Sequence, residues 1–285
     1  MKTKHIVRKT FKIRESGRST DFITPSFINE CGLSCSYCYV KRHGVDTISI
    51  AKNNGDILTA INNHVTWLPK KQSNQTHDKY WTYDISCNSD LAFHRKQVNW
   101  KYIFDFFKTH NTAYASLATK VIPNDFLQYN PHNKVRIRFS LMPQKISSIL
   151  EPHTPSILDR IKAIDKFKKA GYDVHINFSP IVVYKGWLND YTKLFEQIDS
   201  NVKNKHDVLS ECIFLTHNEN KHASNMQNNI KGEQLLWAPN IQEQKTSSYG
   251  GENVRYKAKL KSTWIEEFKD IHASVIPWNT IRYIF

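Results

Sequence analysis

Apolar residues recur along the chain in two alternating rhythms. KYWTYDI (79–85) is rich in β-forming residues, and the segment after it sets Trp100, Ile103, Phe104 and Phe107 at helical spacing. AYASLAT (113–119) predicts a strand, and VRIRFSL (135–141), alternating apolar and basic residues, predicts another. The span LDRIKAIDKFKKAG puts Leu158, Ile161, Ile164 and Phe167 on one helical face and stops at Gly171, ahead of the strand VHINFSPIVV (174–183). A further helix, LNDYTKLFEQID, precedes the apolar strand ECIFLTH (211–217), where Cys212 reads as core. The polar stretches KKQSNQTHDK (70–79) and NENKHASNMQNNIKGE (218–233) read as exposed loops.

Repeated strand-helix units predict an α/β fold on a parallel sheet, either doubly wound or curled into a full or partial barrel. Pattern alone does not separate the two. With 285 residues, 40% of them hydrophobic, the chain can fill a proper core. The first thirty residues hold no continuous apolar run, which predicts a soluble, cytoplasmic protein with no membrane association. Forty Lys and Arg against twenty-six Asp and Glu give a formal charge of +14, enough to attract a polyanion, with nucleic acid the first to consider.

Three of the five cysteines crowd into INECGLSCSYCYV, as Cys31, Cys35 and Cys38. This is not the spaced framework of an extracellular disulfide protein, so a reducing compartment and a metal site fit better. Cysteine is the usual ligand of iron–sulfur clusters, and C-x3-C-x2-C spacing lets three sulfurs hold three irons of a [4Fe–4S] cube, leaving the fourth open. Structural zinc prefers four protein ligands; His43 is only five residues past Cys38, and Cys87 is far along the chain.

The spacing is that of the radical S-adenosylmethionine enzymes, which this sequence resembles. In that family the open iron chelates S-adenosylmethionine, whose reductive cleavage gives a 5′-deoxyadenosyl radical. Five segments, in order and beginning within the cysteine motif, resemble the spore photoproduct lyase family: CSYCYV (35–40), DISCNSD (84–90), LATK with RIRFSL (117–120 and 136–141), LEPHTPSILDRIKAIDKFKKAGY (150–172) and SPIVVYKGWLNDYTKLFEQID (179–199). The likeness continues weakly through FLTH (214–217) to a closing IRYIF. It implies a partial (β/α)6 TIM-type barrel of the radical S-adenosylmethionine type with a C-terminal β-hairpin extension. The single domain, 1–285, would comprise an N-terminal extension (1–24), a barrel core (25–217) and a C-terminal extension (218–285).

The resemblance implies roles one residue at a time. Cys87 matches the hydrogen-donating cysteine that quenches a thymine methylene radical; a lone thiol is otherwise most often a core residue. Tyr37 and Tyr39 match an aromatic pair thought to relay a hydrogen atom back from 5′-deoxyadenosine, or they pack around the cluster loop and keep water out. Ser89, Lys120 and Ser140 match positions that contact S-adenosylmethionine, since an ammonium and hydroxyls suit a carboxylate and a ribose. KTSSYGGENVRYK (245–257) reads as a hairpin whose Tyr249, Arg255, Tyr256 and Lys257 would meet DNA, or as an ordinary exposed hairpin.

The implied activity is repair of a thymine lesion in DNA, 5-thyminyl-5,6-dihydrothymine, by a monomer that draws electrons from a donor such as flavodoxin or ferredoxin. Two departures bear on it. The cluster motif starts about thirty residues in, so the usual N-terminal region is short, and DLAFHRKQVNW after SCNSD differs from the family in detail. Two alternatives stay open: a relative acting on another thymine derivative in DNA hypermodification, and a non-catalytic DNA-binding protein whose cysteines hold a structural metal.

Overall fold

The structure, a computed structural model, describes residues 2–40, 47–246 and 251–285. The elements run in order β1 (Lys2–Ile6), β2 (Arg14–Glu15), β3 (Phe22–Ile23), β4 (Ile28–Asn29), β5 (Thr47–Ala51), α1 (Asn54–Thr66), β6 (Trp81–Asp84), α2 (Trp100–Thr109), β7 (Ala113–Thr119), β8 (Val135–Ser140), α3 (Gln144–Leu150) and α4 (Ile157–Lys169). They continue as β9 (Asp173–Ile181), α5 (Trp187–Asn201), β10 (Ser210–Phe214), β11 (Thr216–His217), α6 (Glu219–Gln227), α7 (Glu233–Leu236), β12 (Gln242–Thr246), β13 (Glu252–Tyr256), α8 (Ala258–Val275) and β14 (Ile281–Ile284).

Eight strands form one sheet in the order β14-β10-β9-β8-β7-β6-β3-β2. Every neighbouring pair from β14 to β3 is parallel, and β2 closes the row antiparallel to β3. Parallel neighbours need crossovers, and the helices with apolar faces supply them. Asn99 caps α2 and Ser156 caps α4, each side chain accepting from a first-turn amide. Gly171, at φ +84°, ends the α4 region in a left-handed turn that glycine adopts without penalty.

The sheet is curled. Tyr283 and Arg282, on β14 at one edge, hydrogen-bond to the hydroxyl and carbonyl of Ser19, in the turn between β2 and β3 at the other edge. The fold is therefore mixed α/β on a half-barrel sheet. Two smaller sheets flank it, β1-β5-β4 and β11-β13-β12.

The alternation in β8 takes on meaning inside this curl. Val135, Ile137 and Phe139 enter the apolar core, yet the intervening Arg136 and Arg138 are buried as well. Arg138 spans Asp84 on β6 and Glu211 on β10, at 3.0 Å each, while Arg136 pairs with Asp173 at 2.6 Å. Buried charges persist only when paired.

Three expectations are corrected here. Ile157, not Leu158, lies on the buried face of α4, and Leu158 is exposed. Residues 218–233 are not an exposed loop: they form α6 and the start of α7, with Lys221, Asn225 and Glu233 buried. Within 70–79, Lys71 and Thr76 are buried against the Asp21 carboxylate.

Candidate active site

A cavity of about 850 Å³ lies at the carboxyl ends of the parallel strands, where open and closed α/β sheets place their sites. Its wall includes Cys31, Cys35 and Cys38 on the segment after β4, and Tyr37 and Tyr39 between and beyond them. Cys87 and Ser89 join it from the turn after β6, Lys120 from the end of β7, and Ser140 from the end of β8. The sequence-predicted cluster, hydrogen-donor and cofactor residues thus share one chamber.

Cys31 and Cys35 are buried and pack with Leu33, and Tyr37, Cys38 and Val121 adjoin them. Burial pushes the Cys31 thiol up to about 11, with the Asp90 carboxylate adding to it. It pushes Cys35 up to about 12, against the pull of Lys120. Three thiols lining one cavity are in kind the donor set of an iron–sulfur cluster, although among the described residues no group of three or more His, Cys, Asp or Glu is arranged to hold a single metal ion.

Cys87 sits at the meeting point of three groups. Arg14 Nη2 donates to its Sγ at 3.6 Å, Asn88 Oδ1 faces the thiol at 3.6 Å, and the Tyr39 hydroxyl lies 4.0 Å away. Burial and the Asp84 carboxylate raise the thiol above its ordinary value, and Arg14 only partly offsets them. The group is therefore an S–H at neutral pH.

The two tyrosines differ. Tyr39 faces Cys87 and accepts the Asn88 amide at 3.4 Å, whereas Tyr37 donates its hydroxyl hydrogen to Glu151 and lies under Lys120, 5.6 Å from the ring centre. Burial works against the Lys120 charge, but the Glu151 carboxylate outweighs it and the ammonium persists. Ser89 donates to the Glu30 carbonyl at 2.8 Å and so also ties down the residue before Cys31. The Ser140 hydroxyl accepts from Asn177 Nδ2 at 3.3 Å.

Among the expected DNA contacts, Arg255 lines the cavity and pairs with Glu243 at 2.9 Å. Lys257 is exposed, its ammonium donating to the Asn240 carbonyl at 2.7 Å. Tyr256 is a correction: it is 1% exposed, packs on Phe214 and Trp264, and its hydroxyl accepts the Val183 amide, so it belongs to the core. Tyr249 and His43 lie outside the described residues. Sequence reasoning missed Arg14, Asp84, Arg138 and Glu151; the basic alternation in VRIRFSL was the one available sign of a charged interior.

Residues 3–285 match the family model described as spore photoproduct lyase. The chain belongs to that family. The spore photoproduct lyase of Bacillus subtilis (strain 168) is 28% identical over 212 residues, covering 73% of this chain and 60% of the relative. That of Geobacillus sp. (strain Y412MC61) is 25% identical over 196 residues, 67% and 55% of the respective chains. The matched regions thus span less than two thirds of either curated relative. In fold, the chain superimposes on spore photoproduct lyase complexed with dinucleoside spore photoproduct with a TM-score of 0.88 at 20% identity, covering 99% of this chain and 82% of the other. A mutant spore photoproduct lyase with bound AdoMet and dinucleoside spore photoproduct gives 0.87 at 19% identity, with the same coverage.

Proposed function

We propose that this chain is a radical S-adenosylmethionine lyase that reverses spore photoproduct in DNA to two thymines. The observation that carries the reading is the Cys87 thiol, set beside Tyr39 in the chamber that also gathers Cys31, Cys35 and Cys38. The fold then reads as a partial (β/α)6 barrel within one domain, 1–285, with residues 25–217 as its core, 1–24 as an N-terminal extension, and a DNA-facing β-hairpin in the extension 218–285.

Cys31, Cys35 and Cys38 would hold a [4Fe–4S] cluster, and Lys120, Ser89 and Ser140 would bind the carboxylate and ribose of S-adenosylmethionine. Bound together, these groups supply a 5′-deoxyadenosyl radical able to remove hydrogen from an unactivated carbon. Cys87, kept protonated, passes the hydrogen atom of its S–H to the thymine methylene radical left after the bridge breaks, and a thiyl remains on Sγ. The Tyr39 O–H restores that hydrogen. A relay through Tyr37, whose hydroxyl donates to Glu151, would pass one whole hydrogen atom to the Tyr39 oxygen and take one back from 5′-deoxyadenosine, so that both phenols end as O–H.

Access to a lesion in duplex DNA requires extruding it, at a cost of a few kcal/mol that is least for a damaged base. Lys245, Arg255 and Lys261 line the cavity and suit the flanking phosphates, and the formal charge of +14 favours the encounter. Reduction by flavodoxin or ferredoxin, a monomeric state and a cytoplasmic location complete the proposal; among the described residues no helix is long and apolar enough to cross a membrane.

The test is anaerobic turnover of reconstituted protein with dithionite, S-adenosylmethionine and dinucleotide spore photoproduct, followed by mass spectrometry. Thymidylyl-thymidine should accumulate over many turnovers, and Cys87→Ala should divert product to an adduct while 5′-deoxyadenosine still forms. 5′-Deoxyadenosine without lesion reversal in the unaltered protein would refute the substrate and leave the cluster reading in place. A colourless reconstituted protein would refute the cluster.

A further inference from the structure

Ser36, between Cys35 and Cys38, is buried and held from three directions. Its amide donates to the Leu150 carbonyl at 2.9 Å, its hydroxyl donates to the Lys231 carbonyl at 3.1 Å, and its carbonyl accepts from Asn225 Nδ2 at 3.0 Å. Two of these anchors come from the α6 region, far from the cysteines in sequence. Asn225 is itself fixed, because Nδ2 also donates to Glu233 Oε2. The other oxygen of Glu233 accepts from His217 Nε2 at 2.9 Å and His222 Nδ1 at 2.7 Å. His222 in turn lies flat on Trp237, with ring centres 4.2 Å apart. Gly232, at φ +85°, lets this segment approach α3 so closely that a Cβ there would stand 2.6 Å from Leu150 Cδ2.

We propose that Asn225 is a positioning residue for the iron–sulfur cluster, holding the Ser36 carbonyl so that the Cys35 and Cys38 thiols are already aimed when iron arrives. The inference rests on the cluster reading above. Only Ser36 and Tyr37 separate these two cysteines, so the orientation of the Ser36 peptide sets the direction in which both thiols leave the loop. The loop also contains Ser34 at φ +57°, a conformation unfavourable for a residue with a Cβ, and so needs outside support to persist. A buried carbonyl with a fixed donor provides that support, and Glu233 with its two imidazoles keeps the donor from turning away.

The experiment compares unaltered protein with Asn225→Ala, Asn225→Asp and Ser36→Ala after anaerobic reconstitution. It reads iron and sulfide content, the rate of iron loss to a chelator, the electron paramagnetic resonance spectrum of the reduced cluster, and the melting temperature of each iron-free chain. Losing one buried hydrogen bond is worth about tenfold, so Asn225→Ala should release iron about tenfold faster and give a broadened, heterogeneous spectrum. Asn225→Asp, which turns an oxygen toward the Ser36 carbonyl, should be faster still, and Ser36→Ala, which removes only the outer link, about threefold faster. Iron loss and spectra equal to those of the unaltered protein would overturn the proposal. So would faster loss that only tracks a lowered melting temperature, with the spectrum unchanged. Should Asn225→Ala fail to fold, Asn225→Asp, which keeps the size of the side chain and removes its donor to the Ser36 carbonyl, decides in the same way. Unaltered protein that takes up no four-iron cluster would refute the function reading instead, and that result is visible before any variant is compared.

Discussion

Glu211→Gln tests whether the charged interior of the curled sheet holds the fold together. Glu211 has no exposed surface; it pairs with Arg138 at 3.0 Å and with Arg282, and it accepts from the Tyr283 hydroxyl at 3.0 Å. Burial alone would raise its carboxyl, but Arg138 and Arg282 override this and hold it at about 2, against an ordinary value of 4.5. Each tenfold in proton affinity is worth about 1.4 kcal/mol, so the depression corresponds to roughly 3 kcal/mol of folding stability at neutral pH. Breaking a buried pair by removing one partner gives a similar figure, about 3–5 kcal/mol, because uncompensated guanidinium charge is left inside. Urea unfolding at pH 7 should therefore show the variant less stable by about 3 kcal/mol. A folded value below the unfolded one stabilises fully above pH 4.5 and is lost as pH falls toward 2, so the gap between the two proteins should close over that window. A loss under 1 kcal/mol at pH 7, or a gap that stays constant down to pH 3, would refute the reasoning.

Tyr39→Phe removes the hydroxyl 4.0 Å from Cys87, and should cut multiple-turnover rate more than about tenfold while a single turnover of lesion still yields thymine product, read by quench-flow and mass spectrometry. Gly171→Ala forces a side chain into a φ of +84° and brings its Cβ to 2.1 Å from Asn130 Oδ1; calorimetry should show a loss of roughly 1–3 kcal/mol. His175, buried and held at about 4 mainly by burial, is neutral when folded and protonates near 6.5 when unfolded. Stability should accordingly fall as pH drops from 6.5 to 4, by on the order of 3 kcal/mol, and urea midpoints for His175→Asn should lack that slope.

The strands and helices that carry the parallel sheet were legible because each buries a simple periodic face, as α2 does with Trp100, Ile103, Phe104 and Phe107. The cysteine spacing is local, so it too could be read directly. What escaped notice depends on partners distant in sequence. Glu233 looks like a solvated charge until His217, His222 and Asn225 fold around it, and this is why α6 and α7 resembled a loop. Arg138 and Glu211 are 73 positions apart, and Lys71 and Asp21 are 50 apart. Tyr256 looked like a DNA contact because a tyrosine beside an arginine on a hairpin carries no mark of which way its ring turns; the structure turns it inward.

The joining of the two sheet edges has a consequence for assembly in time. Arg282 and Tyr283 reach Ser19, while Arg282 also binds the carbonyls of Gln75 and Thr76, so β14 pins segments made at least 206 residues earlier in synthesis. Synthesis runs from the amino end, and contacts of such long separation form late and slowly. The contacts that join the two edges therefore come late in folding, and the turn at Ser19 waits for β14 before it is fixed.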